Sequence, residues 1–137
     1  MASTTPKPSN NAPHLARAAT SHARRYQSLV EHSPYCIHEI DAEGNLCSMN
    51  PAGLRMLQVH TECEVQGLDY LSLVSDADRP RIRGHLERAL GGQFSEFEFT
   101  TTTGRCLRSN FVPLETDPDD PVRLMGITQD VTARRNL

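Results

Sequence analysis

The segment YCIHEIDAEGNLCSMN (residues 35–50) constrains the fold most strongly, because it predicts a β-hairpin that is apolar on both faces. Residues 41–44 suit a type I turn, with Gly44 in the left-handed conformation that such a turn then needs. With that register two sets of side chains alternate: Cys36, His38, Ile40, Leu46 and Ser48 on one face, and Tyr35, Ile37, Cys47 and Met49 on the other. Both faces therefore need a cover, whereas many antiparallel sheets leave one face in water.

Three segments between this hairpin and residue 93 are predicted to form helices. NPAGLRML begins a short helix with Asn50 as its N-cap, and TECEVQG begins another with the capping pair Thr61 and Glu64. SDADRPRIRGHLERALGG predicts the longest helix of this region, with Asp78 as its N-cap. The inward face of that helix is expected to consist of Ile82, His85, Leu86 and Ala89.

Three further strands complete the predicted sheet. FSEFEFTTT and RCLRSNFVPL follow the long helix, and VRLMGITQDVT follows the loop DPDDP. Their alternation places several inward side chains together: Phe97, Phe99, Leu107, Ser109 and Phe111. The order of elements predicts an α+β domain, with a five-stranded antiparallel sheet and short helices on one of its faces.

The N-terminal part of the chain has a different composition. Residues 1–13 are rich in Pro, Ser, Thr and Asn and are predicted to be a disordered tail. Residues 14–32 predict an amphipathic helix, which ends before Pro34 because the residue before a proline avoids helical geometry. Its apolar stripe is formed by Leu15, Ala19, His22, Tyr26 and Leu29.

Charge and composition exclude several classes of function. The net charge of −3 and the pI near 6.0 give no electrostatic basis for binding nucleic acid or an anionic membrane. No apolar run approaches the roughly 20 residues that cross a bilayer. The first residues lack the apolar core of a secretory signal. The four cysteines show no paired spacing and are expected to be reduced, most of them buried, so the chain is predicted to be cytoplasmic.

Five stretches of this sequence, in this order, resemble the PAS domain family, the sensory module of many bacterial signalling proteins. They are RYQSLVEHSP, IDAEGNLCSMNPAG, SDADRPRI, TGRCLRSNFVPL and GITQDVTARR, and they span residues 25–135. The resemblance implies a PAS domain at residues 33–133 whose sheet and short helices enclose a small cavity. It also implies that residues 134–137 begin a connector to an output domain.

The resemblance implies which residues face that cavity. The expected ligand-binding residues are His38, Met56, Phe97, Phe99, Ser109, Phe111 and Thr128. His38 stands out because burying an imidazole costs free energy unless it finds a partner. It is either a core histidine bonded to Ser48, Ser109 or Thr128, or the group that orients an acid or a planar ring. Gly53 either enlarges the cavity or allows close backbone packing.

Neither flavin nor haem is expected, and the identity of a ligand stays open. The light-sensing branch of the family has an Asn-Cys pair where this chain has Asp69-Tyr70, and a glutamine where it has Thr128. Haem-binding relatives use a histidine where this chain has Ile82, although His85 lies one turn later. No set of four convergent ligands indicates a metal site.

The stretch GITQDVTARR resembles the joint between a PAS domain and its output. Family members often end their last strand in Asp-x-Thr, here Asp130-Val131-Thr132. We expect Thr132 to cap the following helix and Asp130 to pair with Arg134 or Arg135. These residues are therefore predicted to relay the signal, and the chain is expected to stop where an output domain begins.

The resemblance predicts a sensory and dimerising module that is not itself an enzyme. The expected parent is a sensor histidine kinase of a two-component system, and the expected partner is a second copy bound through the N-terminal helix and the outer sheet face. One alternative is a ligand-free interaction module that serves only dimerisation and relay. Another is the input domain of a cyclic-dinucleotide enzyme or a transcription regulator.

Overall fold

The computed structural model describes the backbone of residues 12–135 and the side chains of residues 20–134, and it divides the chain into two units after His32. The first unit contains helix α1 (Ala12–His32), so the predicted tail at residues 1–13 lies almost entirely outside the described residues. The side chains of Leu15 and Ala19 lie outside them as well. Two apolar side chains of α1 are exposed: Tyr26 at 45% and Leu29 at 68%.

The second unit is a five-stranded antiparallel sheet with helices between its second and third strands. The strands are β1 (Cys36–Asp41), β2 (Leu46–Met49), β3 (Ser95–Thr100), β4 (Cys106–Pro113) and β5 (Val122–Asp130), in the spatial order β2-β1-β5-β4-β3. Between β2 and β3 lie α2 (Pro51–Met56), two 3-10 helices (Glu62–Glu64 and Tyr70–Leu73) and α3 (Arg79–Leu90). A short helix α4 (Thr132–Arg135) follows β5. The predicted α+β fold is confirmed.

The hairpin of β1 and β2 has the predicted turn but a different register. Gly44 has a φ of 84°, as the turn requires. Ile40 lies opposite Leu46, Glu39 opposite Ser48 and His38 opposite Met49, so one extra residue of β2 forms a β-bulge. The bulge brings Met49 to the inner face and moves Ser48 to the outer face, where its hydroxyl donates to Glu39 Oε1 at 2.6 Å. The predicted faces of these two residues were wrong.

Two side chains connect the helices to the sheet. Asn50 caps α2 as predicted: its Oδ1 accepts from the Gly53 N–H at 3.1 Å and also from the Ile37 N–H of β1 at 2.8 Å. Asp78 precedes α3 but makes no side-chain cap there. Its Oδ2 accepts instead from the Thr100 N–H of β3 at 2.7 Å, so the predicted cap is replaced by a bond between α3 and the sheet.

Two glycines allow close packing inside the domain. A Cβ on Gly53 would lie 2.4 Å from Met49 Cγ and 2.6 Å from Cys36 Sγ, which supports close packing over an enlarged cavity. A Cβ on Gly126 would lie 2.1 Å from His38 Nε2, because the imidazole lies directly over this glycine of β5. The position of the His38 ring therefore depends on the absence of a side chain at residue 126.

Replacing Gly126 by alanine should destabilise the domain by about 1–3 kcal/mol, since it overpacks a filled interior. The free energy of unfolding in urea measures this cost. Gly84→Ala is the matched control, because its Cβ would lie 3.5 Å from Arg88 Nη1 in ordinary contact and alanine favours a helix. In a His38→Ala background the cost of Gly126→Ala should largely disappear; an equal cost in both backgrounds would contradict the contact.

Candidate functional site

The imidazole of His38 lies at the centre of the inner sheet face. Its side chain is fully buried, with Nδ1 3.4 Å from Cys36 Sγ. Nε2 has no hydrogen-bond partner among the described residues. Burial lowers the pKa of His38 to about 4 and raises the pKa of the Cys36 thiol to about 12. Both groups are therefore neutral at pH 7.

None of the three predicted partners bonds to His38. The hydroxyl groups of Ser109 and Thr128 bond to each other at 2.8 Å, from neighbouring positions on β4 and β5. Ser48 lies on the outer face because of the bulge. The two hydroxyl groups therefore satisfy each other and not the imidazole, and Thr128 lies with His38 beside the same small space.

Tyr70 is the residue that sequence reasoning missed. It begins the Tyr70–Leu73 3-10 helix, is 3% exposed, and stacks on His38 with ring centroids 5.3 Å apart. Its ring also meets Phe111 edge-on at 5.2 Å. Burial raises the pKa of the Tyr70 hydroxyl; the nearby Ser109 hydroxyl lowers it in part, although the two groups do not reach hydrogen-bond geometry.

The residue before Tyr70, Asp69, is a sequence pattern that indicates the start of a helical turn. Asp69 caps the 3-10 helix, with Oδ1 accepting from the Leu71 N–H at 3.0 Å, and so turns Tyr70 and Leu71 into the core. An aspartate before two large apolar residues is a pattern that starts a helical turn. That pattern shows where a turn begins, but it does not show which ring covers His38.

The predicted phenylalanines fill the interior. Phe97 meets Phe111 edge-on at 4.8 Å and lies 5.9 Å from Phe99. The space left beside His38, Tyr70 and Thr128 has a volume of about 20 Å³. That is the size of one buried water and far below the roughly 300–1,000 Å³ of a typical ligand pocket. The interior as it stands is a packed core.

His85 of α3 also packs against these rings. It is half-buried, stacks on Phe97 with centroids 4.8 Å apart, and has Nδ1 3.2 Å from Arg88 Nη2. Burial lowers its pKa, as do the positive charges of Arg88 and Arg81.

Among residues 20–134 no three His, Cys, Asp or Glu side chains converge to hold a metal ion. Of the four cysteines, Cys36 is the one that is buried.

A larger space opens beside this packed interior, and we call it the Arg105 groove. It has a volume of about 570 Å³, within the range of ligand pockets. It shares five lining residues with the small space at His38: Met56, Leu57, Leu73, Thr101 and Leu107. Polar side chains line its outer part: Arg55, Gln58, Thr102, Thr103, Arg105 and Asp130. Of the predicted ligand-binding residues, Met56 lines this groove.

Asp130 ends β5 and bonds to two parts of the chain. Its Oδ2 accepts from Arg105 Nε at 2.9 Å and Nη2 at 2.8 Å. Its Oδ1 accepts from the Thr132 N–H at 2.9 Å and hydroxyl at 2.5 Å. Burial raises the pKa of Asp130, but the hydrogen bonds from Thr132 and Arg105 outweigh it, so the pKa lies below its usual value. The ion pair that the structure describes is with Arg105. Of the two predicted partners, Arg134 is exposed, and the side chain of Arg135 lies outside the described residues.

Thr132 also differs from its predicted role as a cap. Its Oγ1 accepts from the Cys106 N–H of β4 at 2.9 Å, and the N–H of Val131 donates to the Cys106 carbonyl at 2.9 Å. The start of α4 is therefore fixed to the first residue of β4 and to Asp130. We call Arg105, Asp130 and Thr132 the joint.

Comparison with known families identifies this fold. A family model described as PAS fold matches residues 30–136. This chain belongs to the PAS family. It is a sensory domain in the sense of that family, and none of the helices in its described part has the length and apolar composition of a membrane span.

Solved structures are similar to this PAS domain. The PAS domain of a Colwellia psychrerythraea protein has 18% sequence identity and a TM-score of 0.67, covering 82% of this chain and 99% of its own. A domain of a sensory box sensor histidine kinase/response regulator from Geobacter sulfurreducens has 27% identity and a TM-score of 0.67, covering 82% and 96%. A LOV protein of Rhodobacter sphaeroides has 17% identity and a TM-score of 0.65, covering 85% and 70%. No curated protein sequence matches this chain.

The stability of this PAS domain should fall by about 2 kcal/mol between pH 7 and pH 5 through His38 alone. The folded pKa of about 4 lies below the unfolded value of about 6.5, so the unfolded chain binds more protons in this window. Stability is therefore complete above pH 6.5 and is lost as the pH falls towards 4. Urea midpoints at the two pH values measure the loss.

Two further measurements distinguish His38 from the other histidines. His38→Leu should reduce the loss between pH 7 and pH 5, whereas His60→Gln, at an exposed histidine, should retain it. In the unmodified domain the ring resonances of His38 should stay constant across this window. Titration of that ring near pH 6.5 would contradict its burial as a neutral group.

Proposed function

We propose that this PAS domain is the input module of a bacterial sensor histidine kinase, binding a small molecule and relaying its presence through the joint. One observation carries the proposal: Arg105 and Asp130 belong both to the wall of the groove and to the joint. A bound molecule would therefore contact the residues that hold the start of α4. The similar Geobacter sulfurreducens domain, described as part of a sensor histidine kinase/response regulator, supports this choice of output.

The ligand is proposed to enter the groove and not the space at His38. The groove has the volume of a ligand pocket, whereas about 20 Å³ remain beside His38. The five lining residues that the two spaces share, four of them apolar and the fifth Thr101, provide a wall between them. His38, Phe97, Phe99, Ser109, Phe111 and Thr128 then support the groove from behind as a packed layer, and Met56 contacts the ligand.

A ligand-free interaction module is the second candidate, and a specific observation favours it. The rings of Tyr70, Phe97, Phe99 and Phe111 fill the space in which the family resemblance implied a ligand. Such a module would keep dimerisation and relay but bind nothing in the groove. Native mass spectrometry of the purified domain separates the two, since a co-purified small molecule supports sensing.

The relay is proposed to depend on Asp130. In the full signalling protein, Asp130→Asn should uncouple autophosphorylation from the input, because the amide weakens both the Arg105 pair and the bonds to Thr132. The isolated domain should lose less than about 1 kcal/mol of stability, since Arg105 is 53% exposed and exposed pairs contribute little. Autophosphorylation rate and thermal melting are measured together.

Glu96→Gln is the matched control for this variant. Glu96 pairs with Arg108 at 2.6 Å between β3 and β4, away from the joint, and both side chains are 46% exposed. Both side chains lie on the outer sheet face near Tyr35, so sedimentation first checks that the Glu96→Gln dimer is intact. The variant should then cost similar stability without changing autophosphorylation. Normal signalling in Asp130→Asn, or an equal loss of signalling in Glu96→Gln, would show that the joint has no special role.

A homodimer through α1 and the outer sheet face is also proposed. Tyr26 and Leu29 lie one turn apart on α1 and are exposed, as is Tyr35 before β1. Burying one such side chain contributes about 1.5–3 kcal/mol, which favours a partner over water. The proposed location is the cytoplasm, and neither nucleic acid nor a membrane is a proposed partner.

Leu29→Glu should convert the dimer into a monomer, because it places a charge in the proposed apolar interface. Sedimentation velocity of the 137-residue chain measures the oligomeric state. Arg24→Gln is the control, since Arg24 lies on the opposite side of α1 and should leave the dimer intact. A monomeric unmodified chain, or a dimer that persists in Leu29→Glu, would contradict this interface.

A further inference from the structure

The two oxygens of the Asp130 carboxylate have different partners, Arg105 at the groove and Thr132 in α4. One oxygen accepts both hydrogen bonds from Arg105, and the other accepts both hydrogen bonds from Thr132. Arg105 is therefore tied to the end of β5 through a single carboxylate oxygen. Any group that binds Arg105 in place of Asp130 therefore removes the positive charge beside the carboxylate that accepts from Thr132.

The lining of the groove indicates the chemistry of its occupant. Its inner wall is apolar, with Met56, Leu57, Val59, Val65, Leu73 and Leu107. Its outer part carries two cationic side chains, Arg55 and Arg105, against one carboxylate, Asp130. A molecule with an apolar body and one anionic end complements this surface. A guanidinium matches a carboxylate in particular, because its planar N–H groups bond to both oxygens.

We propose that the groove binds a small monocarboxylate with an apolar body, and that its carboxylate competes with Asp130 for Arg105. This inference rests on the proposed function, in which the groove is the ligand site. The apolar body lies against Met56 and Leu107, and the carboxylate binds Arg105 with Arg55 nearby. Ligand binding exchanges one carboxylate for another at Arg105.

The exposure of the ion pair makes this exchange feasible. The side chains of Arg105 and Asp130 are 53% and 24% exposed, so Arg105 can rotate towards the groove without burying an unpaired charge. Asp130 then keeps Thr132 as its partner but loses the cation that fixed its position. The start of α4 keeps its bonds to Asp130 and Cys106, but its position shifts with the Asp130 carboxylate to a degree set by ligand occupancy.

Octanoate and octanamide are the probes for this mechanism, since they share an apolar chain and differ in charge. In ¹H–¹⁵N NMR spectra of the 137-residue chain, octanoate should shift the Thr102 and Thr103 amides saturably and also shift the Thr132 amide. Octanamide should shift the groove amides weakly and leave Thr132 unchanged. The Thr132 amide is the reporter because it donates to Asp130.

Arg105→Gln and Arg108→Gln form a matched pair of variants. Arg105→Gln should weaken octanoate binding by about tenfold or more and move the free Thr132 amide towards its octanoate-bound position. Arg108→Gln removes the pair with Glu96 and should bind octanoate like the unmodified chain. Equal weakening in both variants would overturn the assignment to Arg105.

Two further outcomes would overturn the inference and are distinct from failure of the proposed function. Saturable groove shifts from octanoate with an unchanged Thr132 amide would show a ligand site without competition for Arg105. Absence of any groove shift would exclude a monocarboxylate. In either case, a small molecule that co-purifies with the domain would still support the groove as a sensory site. The proposed function itself would be rejected if no small molecule co-purifies and Asp130→Asn signals normally.

Discussion

The interior of this domain depends on the burial of one neutral imidazole. His38 occupies the middle of the inner sheet face, where a charged ring would have no counterion, and burial lowers its pKa to about 4. The ring fits because Gly126 leaves space beneath it and because Tyr70 covers it from the other side. Each of these contacts excludes water, so the same arrangement that keeps His38 neutral also fills the cavity of this PAS domain. Packing and ionisation are therefore set together.

Much of the fold could be predicted because helices and strands here follow simple periods. The order of elements along the chain, the turn at Gly44 and the cap at Asn50 follow from local patterns, and the structure has all three. The β-bulge could not be predicted, because strict alternation assumes that no residue is skipped, and one extra residue in β2 exchanges the faces of Ser48 and Met49. The error is local, since the residues before the bulge keep their predicted faces.

The candidate site was less predictable because its decisive contacts are not local. The inward positions of His38, Ser109 and Thr128 follow from the resemblance to the PAS family. Tyr70 lies on a 3-10 helix of four residues, which is too short to show a period. Arg105 reaches Asp130 across 25 residues of sequence, whereas Arg134 is four residues away and was the obvious local choice. Sequence reasoning singled out Asp130 and Thr132 but not Arg105, which bonds to Asp130 and also lines the groove.

The half-exposed position of the joint determines how strongly a ligand could act on it. Removing one partner from a fully buried ion pair costs about 3–5 kcal/mol, more than a weakly bound small molecule supplies. An exposed pair contributes about 0.2–1 kcal/mol, while coupling energies between sites in proteins are typically about 1–3 kcal/mol. The side chains of Arg105 and Asp130 are 53% and 24% exposed, so their pair is closer to the exposed case. In the proposed relay, the packed interior behind this pair serves as a rigid support, so that a change in the pair would pass to α4.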